Sequence, residues 1–414
     1  MTRLRRLDPE EAVRLHRVPV DADTLKSAAA IVEDVRARGK VALVEHAERL
    51  GDVSPGEPLV LDRTALEDQL AGLADEERAV LERVAGRIAS FARAQRDQIV
   101  DLDVPVVGGR AGHRWLPVAS AGAYAPGGRH PLPSSVLMTV IPARVAGVEQ
   151  VWVASPGPTP VTIAAAAVAG ADGLLRVGGA QAIAALAFGT VCPSSDLIVG
   201  PGNRWVTAAK RHLYGEIGID GLAGPSEILV IADESADPDL VAADLLAQAE
   251  HDTDAVPMLV TTSRELADAV DRAIESQLSD LPTSETAGAA LANGFTVIVE
   301  SMTEAGAISD RIAPEHLALH VDDFGITGSL RSYGSMFIGG GSAEAFADYG
   351  VGPNHVLPTG GGARHQSGLS VMTFLRSPTW SRLDDPTPLV EDTVLLARME
   401  GLEAHARAAR LRRR

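Results

Sequence analysis

Apolar positions keep two different rhythms along this chain. In the first hundred residues they recur every three to four positions. Leu25, Ile31, Val32 and Val35 share one helical face, which Gly39 closes; Val80, Leu81, Val84, Ile88 and Phe91 share another, on a long charge-rich helix. These helices carry few chemically distinctive residues and read as scaffold. From Val104 to Pro117 the pattern breaks into short strands and turns.

From about 118 to 227 charge thins out and Gly, Ala and Pro dominate. Short apolar strands alternate with Ala-rich helices: Val151 to Ala154 then Ile163 to Val168, Leu174 to Val177 then Ala180 to Phe188, Leu197 to Val199 then Val206 to Leu213. This alternation predicts a largely parallel sheet. Gly178-Gly179 and Gly200-Pro201-Gly202 fall where strands hand over to helices, in turns that let backbone amides approach a phosphate. Neither is the G-x-G-x-x-G fingerprint, so a dinucleotide here is expected to be held in a non-standard way. The alternation resumes with strands at Ile228 to Ala232, Met258 to Thr261, Thr296 to Val299, Leu317 to Val321 and Met336 to Ile338, with a helical face of Leu266, Val270, Ile274 and Leu278 between two of them.

Two Rossmann-like α/β domains with incomplete dinucleotide fingerprints are therefore expected. Residues 1–117 are assigned to a helical part packing with 228–370 as the first α/β domain, and 118–227 to the second. Residues 339–370 are Gly-rich and irregular, which inside a compact domain points to function or to disorder. Residues 371–414 read as a short extended piece and one helix from Leu389 to Ala409, too small to fold alone and so docked elsewhere.

Composition narrows the classes. The formal charge of −18, from 37 basic and 55 acidic residues, disfavours nucleic acid as a partner. The lone cysteine, Cys192, allows no internal disulfide and suits a reducing compartment. The N-terminus has no apolar signal core, and no apolar run reaches membrane-spanning length. A cytoplasmic protein without a membrane partner is the expectation.

Chemistry-bearing residues gather at a few places. Asp237-Pro238 starts a helix whose apolar positions are Leu240, Val241, Leu245 and Leu246. Near its end Gln248 and His251, three apart, project from one face. They make either a plain polar face or two corners of a metal site. Pro314-Glu315-His316-Leu317 sets a carboxylate beside an imidazole at a strand edge, two groups able to move protons near neutral pH, or a solvated Glu and a capping His. Asp348, with Asn354 and His355 after it, offers a ligand and a substrate contact or ordinary turn chemistry. Glu400 and His405 lie near the C-terminus, where a surface helix is the plain reading. Gln, Asp and two His together suit Zn²⁺ or another first-row divalent ion.

The motifs YAPGGRHPLPSSVLM, VGGAQAIAALAFGT, GPGN, AGPSE, LLAQAEHD, APEHL, ADYGVGPNHVLPTGGGAR, SGLSV and EGLEAHARA, in that order, resemble the histidinol dehydrogenase family from roughly residue 115 to 410. The resemblance implies oxidation of L-histidinol to L-histidine through the aldehyde with two NAD⁺, the last steps of histidine biosynthesis, in an intertwined homodimer with one Zn²⁺ per subunit. It implies Gln248, His251, Asp348 and His405 as zinc ligands, the last reaching across the dimer by way of the C-terminal tail. It implies His316 as acid/base and Glu315 as the group that activates water. Ser226, His355 and Glu400 match positions that hold substrate, a role shared by the zinc ligands and the Glu-His pair, and Tyr124, Gln181 and Asn203 match NAD contacts. Departures are Arg129-His130 in the cofactor loop, a short stretch after Ser155, and Trp205 after Asn203. Two rivals stay open: a relative oxidising another alcohol, such as a sulfonated diol, and a non-catalytic metal- or nucleotide-binding protein. Binding alone needs neither Glu315 nor His316.

Overall fold

The computed structural model describes residues 3–15, 20–127 and 131–413. Two six-stranded sheets organise it. The first runs, in spatial order, Arg5–Leu7, Phe295–Ile298, Val256–Thr261, Glu227–Ala232, His316–His320, Ser335–Ile338, and every pairing is parallel. Its inner strands are nearly continuous apolar runs because helices cover both faces. Pro238–Ala249, Arg264–Leu278 and Ser284–Leu291 pack on one face, and Pro9–Arg14 and Met302–Ile312 on the other.

The second sheet runs Gly218–Ile219, Leu197–Val199, Ser120–Tyr124, Gln150–Ala154, Gly173–Leu175, Val60–Asp62, parallel except for the last edge strand. Both α/β units expected from the alternation are present. The N-terminal helices dock differently from the expectation. Only Arg5–Leu7 and Pro9–Arg14 join the first sheet. Ala22–Arg38 and Lys40–Leu50 pack on one face of the second sheet, and Arg63–Ala71 and Asp75–Asp97 on the other. The helices Pro160–Ala169 and Gly179–Phe188 are Ala-rich, and their small side chains let the N-terminal helices pack closely, with Val32, Val35, Leu43, Leu66, Leu81 and Ile88 joining the sheet's own Leu137, Met138, Leu174, Ile183 and Leu186 in the two layers.

The C-terminal part also differs. Leu375–Arg376 pairs with Leu116–Pro117, and Thr379–Leu383 with Gly109–His113, so the extended piece is tied to its own chain. The expected single helix is two, Thr387–Met399 and Glu403–Arg410, broken at Gly401 with φ +76°. No described helix is long and apolar enough to cross a membrane.

Candidate active site

In the first sheet the strands run outward in sequence from Glu227–Ala232 on one side, while His316–His320 and Ser335–Ile338 continue on the other. The order reverses between these two neighbours, where Ile228 and His316 are in register. The site lies at the amino ends of this pair. The segment entering the second strand is strained: Ala313 has φ +54°, the one non-glycine residue with positive φ among the described residues, and it is fully buried. That turn ends the helix Met302–Ile312 and delivers Pro314, Glu315 and His316 to the sheet edge.

Glu315 and His316 are both buried. Glu315 Oε2 accepts the Glu227 N–H at 2.9 Å, and burial raises its pKa well above the ordinary carboxylate value. His316 Nδ1 lies 3.1 Å from the Glu227 carbonyl and 3.7 Å from Glu315 Oε2, and its ring stacks on Phe337. The Glu227 carbonyl requires a proton on Nδ1, leaving Nε2 as a bare base, buried with no partner among the described residues. Burial pushes its pKa down to about 4.

Gln248 sits in the last turn of Pro238–Ala249, fully buried; His251 lies beyond the helix end and is more exposed. With its amide nitrogen turned inward, Gln248 donates to Glu344 Oε1 and to the Glu227 carbonyl, each at 3.2 Å. Asp348 closes a short helix, Glu344–Asp348, within the stretch expected to be irregular. Its Oδ2 is 3.6 Å from His251 Nε2 and its Oδ1 3.7 Å from His355 Nδ1. Burial opposes the Asp348 charge, yet His251 and the other nearby imidazoles outweigh it and hold its pKa below the ordinary value. The Asp348 contact raises His251, whereas burial lowers His355. The opposite side of His355, Nε2, is 3.3 Å from Ser135 Oγ, which starts a helix of the second sheet's layer. Behind the loop that follows Asp348 stands the long helix Asp75–Asp97, with Arg87 donating to the Gly350 carbonyl at 2.8 Å.

The structure thus gathers Gln248, His251, Glu315, His316, Asp348 and His355, and Ser226 directly precedes the Glu227–Ala232 strand. It adds Glu344, missed in the sequence because one Glu flanked by Ala in a Gly-rich stretch looks like solvated loop. Its only signal was the four-residue spacing to Asp348. Glu400 and His405 are exposed, and no hydrogen bond or ion pair among the described residues joins them to this cluster.

Could these residues hold a metal? Ligand atoms of His251, Glu344 and Asp348 lie within 4.8 Å of one another. Three buried or half-buried carboxyl groups, with Glu315, converge where a buried oxygen, Glu344 Oε2, has no partner. An excess of buried acid with nitrogen and oxygen donors and no thiolate fits a divalent cation of the zinc type.

The candidate cofactor residues lie at the carboxyl ends of the second sheet. Tyr124 ends its strand and its hydroxyl accepts the Gly179 N–H at 3.2 Å. Gln181 donates to Asp52 Oδ2 at 2.9 Å, and Asp52 also takes the Gly178 N–H at 3.0 Å. The Gly200 N–H goes to Asp220, itself paired with buried Lys210 at 2.6 Å. Asn203 caps its helix through the Trp205 and Val206 N–H groups. The backbone amides of Gly178, Gly179 and Gly200, expected to face a phosphate, are spent inside the protein. Among the described residues, buried Ser155 Oγ and Gln181 Oε1 find no partner, polar atoms that fit a bound cofactor's edge. Gly128, Arg129 and His130 of the cofactor loop lie outside the described residues.

Fold and cluster define a two-sheet α/β protein with an acid–imidazole site at the switch point of one sheet. The sequence profile of histidinol dehydrogenase matches residues 16–413. Histidinol dehydrogenase of Cereibacter sphaeroides is 46% identical over 398 residues, covering 93% of this chain and 91% of that protein. That of Haloarcula marismortui is 47% identical over 391 residues, covering 92% of each. The crystal structure of histidinol dehydrogenase from Elizabethkingia anophelis superposes with TM-score 0.92 at 30% identity, covering 99% of this chain and 98% of that one. The chain belongs to the histidinol dehydrogenase family, a family of oxidoreductases.

Proposed function

We propose that this protein oxidises L-histidinol to L-histidine through L-histidinaldehyde, with one Zn²⁺ per subunit and two NAD⁺, as the last steps of histidine biosynthesis. The observation that carries the reading is the bare, buried Nε2 of neutral His316 beside buried Glu315, at the edge of a cation-fitting cluster. Gln248, His251 and Asp348 would hold the metal, with His405 of a second copy as the fourth ligand. When bound, zinc supplies a Lewis-acidic anchor for the substrate's amine and imidazole, and NAD⁺ supplies the hydride acceptor.

The chain's own groups move the protons. His316 Nε2 takes the hydroxyl proton as the carbinol carbon loses hydride, giving the aldehyde. Glu315 then takes a proton from water as its oxygen adds to the aldehyde carbon. The hydrate loses a second hydride, and the products are the carboxylate, two NADH and the released protons. A carboxyl group with a raised pKa is, once ionised, the stronger base, and nearby positive charge favours that form. Ser226, His355 and Glu400 would hold the substrate, and Tyr124, Gln181 and Asn203 the cofactor side.

Donor chemistry supports this substrate over a sulfonated diol, because the amine and imidazole of histidinol are nitrogen donors that suit a zinc-type ion. A homodimer is supported by apolar side chains left bare on the tail helices (Leu395, Leu396 and Met399) and by Phe346 and Tyr349 beside Asp348. The test is NADH yield from limiting L-histidinol with zinc present. Two NADH per histidinol is expected. A yield below two counts against the four-electron reading, and turnover of a sulfonated diol without turnover of histidinol selects the other reaction.

A further inference from the structure

Glu344 has no role in the reading above, yet it is the most buried carboxyl group of the cluster, at 2% exposure. It opens the helical turn that Asp348 closes. Its Oε1 lies 3.2 Å from the Gln248 amide nitrogen and 3.5 Å from His316 Nδ1. A glutamine amide can turn over with little steric cost, and the wrong orientation would present N–H groups to a cation. On the inner side of this amide, His316 Nδ1 spends its proton on the Glu227 carbonyl. Two oxygens then remain for the two amide N–H groups: the Glu227 carbonyl and Glu344 Oε1. Glu344 is the only side chain of the pair.

We propose that Glu344 is a positioning residue that fixes the Gln248 amide with its carbonyl oxygen turned away from the two inner oxygens, toward the metal, while bracing the His316 ring from behind. The inference rests on the zinc reading and deepens it. Polar groups of this kind behind a metal ligand typically contribute about 10–100-fold in metal affinity. Acting through Gln248 has a distinct consequence: once Gln248 is gone, Glu344 has little left to contribute to zinc binding.

The test is a double-mutant cycle in the full-length protein. Zinc affinity is read by chelator competition for the wild type, Glu344→Met, Gln248→Ala and the double variant, with circular dichroism and melting of the metal-free proteins as fold controls. Glu344→Met, which keeps bulk and removes the acceptor, is expected to weaken zinc binding by about 10–100-fold. Added to Gln248→Ala it should weaken binding less than about threefold. Glu344→Gln, which retains an acceptor oxygen, should rescue to within about threefold of wild type. Additive losses, or loss of tenfold or more in Glu344→Gln, would make Glu344 itself a ligand and overturn the proposal. Unchanged affinity in Glu344→Met overturns it as well. Should the Met variant fail to fold, Glu344→Leu takes its place in the cycle. Failure of the wild type to bind zinc would sink the zinc reading instead.

Discussion

The two sheets offer opposite edges to their candidate sites. In the second sheet, Tyr124, Ser155, Gln181 and Asn203 follow the carboxyl ends of strands, the usual place for ligands in open parallel sheets. In the first, Glu315 and His316 stand at amino ends, with Gln248 brought there by the end of a returning helix. The electrostatics differ as sharply. The second site spends its backbone amides on Asp52, Tyr124 and Asp220 and pairs the buried Lys210 with Asp220. The first holds several imidazoles and carboxyl groups, with burial raising Glu315 and Glu344 and lowering His316 and His355. Parallel sheets make a ready cradle at carboxyl ends. Charge-handling chemistry instead sits where strands begin, next to a strained turn at Ala313 and an exposed loop that together supply diverse side chains. On the proposed reading, proton transfer and metal belong to one edge and cofactor placement to the other.

Substitutions can break that contrast. The largest effect is expected from His316→Ala, which should slow the first oxidation by about 10²–10⁴-fold. Glu315→Ala should spare that step more and let the aldehyde accumulate, as seen by trapping it during single turnover. Equal loss in both half-reactions would end the division of roles. A smaller effect is expected across the molecule at Asp52, a residue the sequence did not single out. Asp52→Ala frees the Gly178 N–H and the Gln181 amide, and should raise KM for NAD⁺ by about tenfold while kcat changes less than about threefold. A drop in kcat without a change in KM would place Asp52 with the chemistry rather than the cofactor. The smallest effect belongs to Cys192, buried under the same layer. Burial pushes its pKa up to about 12, so it stays a thiol well above neutral pH. The native protein should resist iodoacetamide at pH 8, and Cys192→Ala should keep activity within about twofold. Rapid labelling of the native thiol would show that the layer opens.

The alternation of strands and helices was legible because both sheets are buried on both faces, which forces apolar runs at regular spacing. The docking of the N-terminal helices was not, because periodicity shows which face is apolar and never what it meets. Small side chains on the Ala-rich helix Pro160–Ala169 make room in that layer for Leu81 and Ile88. The break at Gly401 was written in the sequence as a glycine between two apolar turns, and continuous helical spacing on either side hid it. At the site, Gln248, His251, Glu315, His316 and Asp348 were each legible as residue types, while their meeting needed the reversal of strand order. Glu344 and Asp52 escaped because isolated acids in Gly-rich or loop segments look solvated, and only the fold buries them. The spent amides at Gly178, Gly179 and Gly200 could not be foreseen either, since their partners Asp52, Tyr124 and Asp220 are distant in the chain or lie across a sheet.

The acidic cluster at the first sheet's amino edge is proposed to hold zinc. Anomalous diffraction at the zinc absorption edge from crystals of the zinc-loaded protein tests it most directly. One zinc per chain is expected, within about 2.0–2.2 Å of Gln248, His251 and Asp348 and of His405 from a second copy. A peak elsewhere, or a site completed by Glu344 without a second copy, would contradict it.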